Sequence, residues 1–250
     1  MSAGQVTKNN AVTQLKSIMR QIIAIGGGGF GRTTKSKLIE NYILRQSPEK
    51  KPSICFIPTA TGDADPYIES FYAVFSQLNC VPSHIGLFKR TINLEAHIEK
   101  QNIVFVGGGN TKSMLAVWKA WGLDKILRRA YKRGVVMSGV SAGAICWFEN
   151  GLTDSWEEGL KLMPCLGFAP GSCAPHYDEE PERRPATKQL LIGGRISSMY
   201  GIEGGAALHF INEKPIKTVQ FEKEKRSYLV TLKSNKTSDE KPLRPEKIIY

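Results

Sequence analysis

Five consecutive residues, Gly139-Val140-Ser141-Ala142-Gly143, carry the strongest chemical signal in the chain. The apolar run 134–138 leads into them, and the apolar stretch 144–148 follows with the character of a helix. A serine in that setting is predicted to stand on a sharp strand-to-helix turn, with its hydroxyl raised above the sheet as a nucleophile. Glycine on either side of the turn removes Cβ atoms that would strike the neighbouring chain. The start of the helix favours developing negative charge, and the Ala142 N–H is aimed at the same place as an oxyanion donor. A serine that merely caps a helix would use the same five residues, but the buried strand before it favours the nucleophile.

A second glycine run, Gly107-Gly108-Gly109-Asn110, also separates an apolar strand (103–106) from a helix. In a parallel sheet both loops emerge at the same carboxyl edge, where ligands bind. Gly108 or Gly109 is therefore the second candidate oxyanion donor, with Asn110 either supporting the site or capping the helix. A serine nucleophile needs a base. Among the four histidines, His84 lies in an expected strand, His97 on a polar helix, and His209 alternates with apolar neighbours as a core histidine would. His176 follows Pro175 in a short, stiff loop and is the candidate base. An acid must orient the imidazole. Glu203, at a strand end flanked by glycines, competes for this role with Asp154 and Asp178. Alternation points Asp178 elsewhere, and spacing does not choose between Glu203 and Asp154.

The elements that position these groups read as strands alternating with helices. Strands are expected at 21–25, 53–57, 81–88, 103–106 and 134–138, and helices at 35–45, 66–78, 94–100, 111–121 and 125–132. Continuous apolar strands joined by crossover helices imply an α/β domain with a mostly parallel sheet covered on both faces. From about residue 199 the runs 206–211, 218–221 and 228–231 read as antiparallel strands that extend one side of that sheet. Residues 1–18 are a polar N-terminal extension, 19–250 form one catalytic domain, and 234–247 read as loop.

The chain has 250 residues, 41% of them hydrophobic, enough for one sizeable core. Its net charge of +11 is scattered, with no zinc-finger spacing, RNP pattern or basic zipper. That pattern argues against a nucleic-acid partner and is compatible with a small anionic substrate. The five cysteines form no CxxC pair and read as reduced thiols. Neither a signal peptide nor an apolar run of membrane-spanning length is visible, so a cytoplasmic protein with no membrane partner is expected. The chemistry requires no metal or other cofactor. Two other functional classes share parts of the pattern. An α/β-hydrolase esterase shares the serine turn but would need Asp154 or Asp178 with His209. A nucleotide-binding protein is suggested by Gly26-x-Gly28-x-x-Gly31 after the first strand, although the next strand lacks the acid that this motif requires. A non-enzymatic relative of the same fold is the third alternative, and monomer and homodimer both remain open.

Val106-Gly-Gly-Gly-Asn-Thr111, Gly139-Val-Ser-Ala-Gly-Ala144, Pro175-His176 and Gly201-Ile-Glu-Gly204 occur in this order in the peptidase E (aspartyl dipeptidase) family, which includes cyanophycinase. From about residue 20 to about residue 211 the chain resembles that family. The resemblance implies a fold similar to class I glutamine amidotransferases, with serine in place of their cysteine. It implies a Ser-His-Glu triad: Ser141 as nucleophile, His176 as base and Glu203 as orienting acid, with Asp154 in a supporting position. It also implies hydrolysis of small peptides, with dipeptides bearing an N-terminal Asp as the family substrate. Arg183 or Arg184 would hold the substrate's side-chain carboxylate. The chain departs from the family in its added N-terminal arm and its longer, basic C-terminal segment.

Overall fold

The computed structural model of the chain describes residues 18–32, 36–90, 93–234 and 237–243, and the backbone of 245–247. The expected N-terminal arm lies, apart from residue 18, outside the described residues. The first half comprises β1 (Gln21–Ile25), α1 (Leu38–Leu44), β2 (Ser53–Ile57), α2 (Asp65–Phe75), β3 (Val81–His84), α3 (Leu94–Glu99), β4 (Ile103–Val106), α4 (Thr111–Trp121), α5 (Leu123–Lys132) and β5 (Val136–Val140). The second comprises α6 (Ala142–Ile145), β6 (Phe148–Trp156), β7 (Gly159–Pro164), β8 (Ala169–Ala174), α7 (Arg183–Ile192), β9 (Met199–Ile202), β10 (Ala206–Ile211), β11 (Lys214–Gln220), β12 (Ser227–Leu232), β13 (Ser238–Pro242) and β14 (Pro245–Lys247).

An eight-stranded sheet runs β14-β11-β10-β1-β5-β4-β2-β3. Strands β1, β5, β4, β2 and β3 are parallel, and β10 and β11 extend the β1 side in antiparallel fashion. Every residue of β1 is buried, because helices cover both faces. Ile22 and Ala24 belong to the core with Met114, Trp118 and Leu127 of α4 and α5. Ile23 and Ile25 belong to the opposite core with Ile39 and Ile43 of α1 and Phe71 and Phe75 of α2. This two-sided burial is why the strand sequences read as continuous apolar runs.

Three expectations need correction. First, the chain forms two sheets: β12 pairs with β9 in a six-stranded sheet of order β13-β12-β9-β8-β6-β7. Much of β6 and β7 is only partly buried and the strands carry Gly, Asp, Asn and Lys, so their apolar signal is weak. Second, the tail is not all loop. β13, Ser-Asp-Glu-Lys-Pro, has only proline as an apolar residue and is held by its backbone pairing to β12, with Glu240 reaching inward to Tyr177 and Arg184. Third, the helix after the serine is a single turn over Ala142–Ile145 rather than 144–148. The carbonyls of Cys146, Trp147 and Phe148 accept from the N–H groups of residues 166–169 and so leave the helical ladder. No helix among the described residues is long and apolar enough to cross a membrane.

Candidate active site

The loops after β1, β4 and β5 meet at the carboxyl edge of the parallel strands, joined there by the loop after β8 from the second sheet. Ser141 ends β5 with φ 57° and ψ −116°. That backbone state costs a non-glycine residue about 1–3 kcal/mol and persists only where surrounding bonds enforce it. Here the Ser141 N–H donates to the Ile25 carbonyl (3.1 Å), and its own carbonyl accepts from Ala144 and Ile145 (2.9 and 3.1 Å). The flanking glycines are required by close approach. A Cβ on Gly139 would lie 2.3 Å from the Gly143 carbonyl oxygen, and one on Gly143 2.2 Å from that of Val106. With only four residues, α6 contributes little macrodipole, so the N–H groups of its first turn, Ala142 foremost, are the local electrostatic resource. A Cβ on Gly108 would lie 3.2 Å from Ser141 Cβ, so the Gly108 backbone adjoins the serine. Its N–H donates to the Tyr67 hydroxyl at 3.5 Å. Burial pushes that phenol up to about 12, so it stays neutral. Gly109 lines the same cavity.

His176 faces Ser141 with Nε2 2.8 Å from Oγ. Its backbone also lies in the left-handed region, φ 51°, and is tied to the first sheet by its N–H donating to the Gly26 carbonyl (3.2 Å). The other ring nitrogen, Nδ1, is 2.5 Å from Glu179 Oε2. With Nδ1–H donating to that carboxylate, Nε2 is free to accept the serine proton. Burial acts to raise the Glu179 carboxyl, but hydrogen bonds from Arg32 and His176 outweigh it and hold the group below its usual range. Arg32 Nη1 meets Glu179 Oε1 at 2.5 Å, and Nη2 lies 3.3 Å from His176 Nδ1. The other histidines are bound elsewhere: His209 to Tyr42 and Gln21, His84 to Tyr72, and His97 to Ser83. The esterase alternative, which needed His209, therefore has no geometric support.

The structure brings together Ser141, His176, Gly108, Gly109 and Ala142, but it turns Glu203 away from the imidazole. Glu203 is buried and accepts from the Arg226 N–H (2.8 Å) and the Tyr228 hydroxyl (3.1 Å), with Arg184 at 3.5 Å. Only its backbone borders the site, beneath Gly26. The carboxylate on the imidazole is thus Glu179, three residues after it in a turn. Asp178 accepts from the Gly204 N–H and Lys225. Asp154 is exposed and lines a separate cleft with Glu158 and Glu182. Asn110 caps α4, accepting from Ser113 at 2.9 Å. The arginines expected to hold substrate are committed to the protein. Arg183 is 2% exposed and donates to Glu180 and the Leu152 carbonyl. Arg184 donates to Glu240 and stacks 4.4 Å over the Tyr177 ring.

Ser141 and His176 open on a cavity of about 500 Å³, lined also by Arg32, Thr61, Tyr67 and Ser70. Arg32, Glu179 and Tyr67 were missed in the sequence. The available signals were weak: an acid three residues after the histidine, and a basic residue closing a glycine run that resembled a nucleotide motif.

The model of peptidase family S51 matches residues 22–218. The uncharacterized peptidase YgaJ of Bacillus subtilis (strain 168) is 47% identical over 222 residues, covering 88% of this chain and 96% of that protein. Peptidase E of Haemophilus influenzae is 28% identical over 175 residues, covering 64% of this chain and 77% of that one. Among solved structures, a peptidase from an acI-B1 Actinobacterium superposes with TM-score 0.62 at 18% identity, covering 92% of this chain and 96% of that one.

Proposed function

This chain belongs to peptidase family S51 and is a peptidase, and on that premise we propose that it hydrolyses small peptides through an acyl-enzyme formed on Ser141. The observation that carries the reading is the 2.8 Å contact between His176 Nε2 and Ser141 Oγ, with Glu179 on the opposite ring nitrogen. His176 takes the hydroxyl proton as Oγ attacks the scissile carbonyl carbon. The N–H groups of Ala142 and Gly108 stabilise the tetrahedral oxyanion. For Gly108 this requires the donor to turn from the Tyr67 hydroxyl to the substrate, an exchange that its 3.5 Å separation makes inexpensive. The imidazolium, stabilised by Glu179, then protonates the leaving amine. Water activated by the same imidazole hydrolyses the ester and frees Ser141.

Substrate size follows from the cavity, whose volume lies within the range of small-ligand sites, roughly 300–1,000 Å³. A dipeptide fits such a space, and the relative named peptidase E supports that class. Preference for an N-terminal Asp is the finer reading. With Arg183 and Arg184 committed, the cationic side chain on the cavity wall is Arg32. The test is turnover of Asp-X dipeptides against neutral dipeptides, with Ser141→Ala as control. Turnover that is lost in the variant supports the reading. Turnover that survives in it refutes Ser141 as the nucleophile.

A further inference from the structure

The peptidase chemistry leaves one sequence motif unexplained: the glycine run after β1. Its spacing resembles a nucleotide cradle, but two of its glycines are required by packing against protein. A Cβ on Gly26 would lie 2.2 Å from the Glu203 carbonyl oxygen, and one on Gly31 2.8 Å from the Tyr67 ring. The loop is pinned at three points. The Phe30 N–H donates to the buried Glu40 carboxylate (2.7 Å), the Gly205 N–H to the Gly27 carbonyl (3.0 Å) and the Arg32 N–H to the Gly29 carbonyl (2.9 Å). This fixed loop presents the Arg32 guanidinium to the carboxylate that meets the catalytic imidazole.

We propose that Arg32 is a positioning residue for catalysis, so that the working unit is Ser141-His176-Glu179-Arg32; this rests on the serine-peptidase reading above. Arg32 holds Glu179 Oε1 at 2.5 Å, which leaves Oε2 directed at His176 Nδ1. Without it, Glu179, 31% exposed on a turn, keeps only His176 as a side-chain anchor among the described residues and samples other rotamers. The guanidinium also lies 3.3 Å from Nδ1, against the pair it holds. Other ionisable groups around the ring are compensated. Asp178 pairs with Lys225 at 2.5 Å, Glu203 is held by Arg226, Tyr228 and Arg184, and Tyr67 across the cavity is neutral. Arg32 is therefore the cation in contact with the His176–Glu179 pair.

The test is independent of the true substrate. The rate constant for labelling Ser141 with a fluorophosphonate is measured from pH 5 to 9 for wild type, Arg32→Gln and Arg32→Lys, with folding checked by thermal melting. In Arg32→Gln the rate at pH 7 falls about tenfold or more, because the imidazole loses the carboxylate that orients it. Arg32→Lys keeps a cationic donor for Glu179 Oε1, so its rate recovers toward that of wild type. An Arg32→Gln profile superimposable on wild type overturns the proposal, as does a change confined to KM for peptide substrates. Absence of labelling in wild type, or labelling that persists in Ser141→Ala, instead refutes the serine-peptidase reading.

Discussion

Two glutamates compete for one role, and a pair of isosteric substitutions separates them. Glu179→Gln removes the charge that faces the imidazolium but leaves the side chain's shape. At a charge separation of about 4 Å the pair is worth ~1 kcal/mol in bulk water and ~4 kcal/mol at a dielectric near 20. Glu179 is 31% exposed, which places the loss between these limits, near ~2 kcal/mol and hence about a 30-fold fall in kcat. The amide also offers Nδ1 a donor in place of an acceptor, which favours the wrong tautomer and deepens the loss. Glu203→Gln acts on folding instead. Its carboxylate accepts from the Arg226 N–H and the Tyr228 hydroxyl, and an amide sets N–H against one of these donors. A buried unpaired donor costs about 1–3 kcal/mol, or roughly 2–10 °C in Tm for a chain of this length. The assays are steady-state hydrolysis of a dipeptide across pH and thermal melting of both variants. The reasoning is refuted if Glu203→Gln suffers the large loss in kcat at unchanged Tm while Glu179→Gln turns over like wild type.

Other substitutions address strain, burial and the corrected arginines. Ser141→Gly relieves a positive φ and is expected to raise Tm by about 2–4 °C, for a gain of ~1 kcal/mol, while abolishing turnover; a lower Tm would mean that the site stores no strain. Glu40 is buried, its Oε2 has no partner among the described residues, and burial raises its carboxyl above the usual range, so ionisation costs stability that is present at acid pH and lost as pH rises through the folded-state value. Glu40→Gln keeps an acceptor for the Phe30 N–H, and its Tm advantage over wild type should grow from pH 4.5 to 8; an advantage that shrinks with pH would contradict this sign. Arg183→Met strands the Leu152 carbonyl and Glu180 and is expected to cost about 3–5 kcal/mol in denaturant unfolding without altering the ratio of Asp-X to neutral turnover. A selective loss of Asp-X activity at normal stability would restore Arg183 as a substrate ligand.

Much of the scaffold was legible because its signals are local. Strands β1, β2, β4 and β5 lie inside a sheet covered on both sides, so each appears as an unbroken apolar run. The elbow was legible for a steric reason: two glycines are needed where three backbones crowd within one turn. The second sheet was harder to see. Partly buried strands such as β7, and β13 with proline as its one apolar residue, gain their pairing from other strands and leave little periodicity. The Gly26–Gly31 loop misled in a similar way, since close packing against Glu203 and Tyr67 demands glycine as strongly as a phosphate would.

The sequence by itself determined the parallel core, the serine on its strained turn and the histidine that stands against it, because residue type and immediate neighbours suffice to define a buried strand or a sharp bend. Only the tertiary structure decided which carboxylate meets the imidazole and which arginine stands at the cavity. Glu179, Glu203, Arg32, Arg183 and Arg184 are all chemically competent. Their roles depend on which partners the two sheets bring within about 3 Å, a distance over which a hydrogen bond is made or lost.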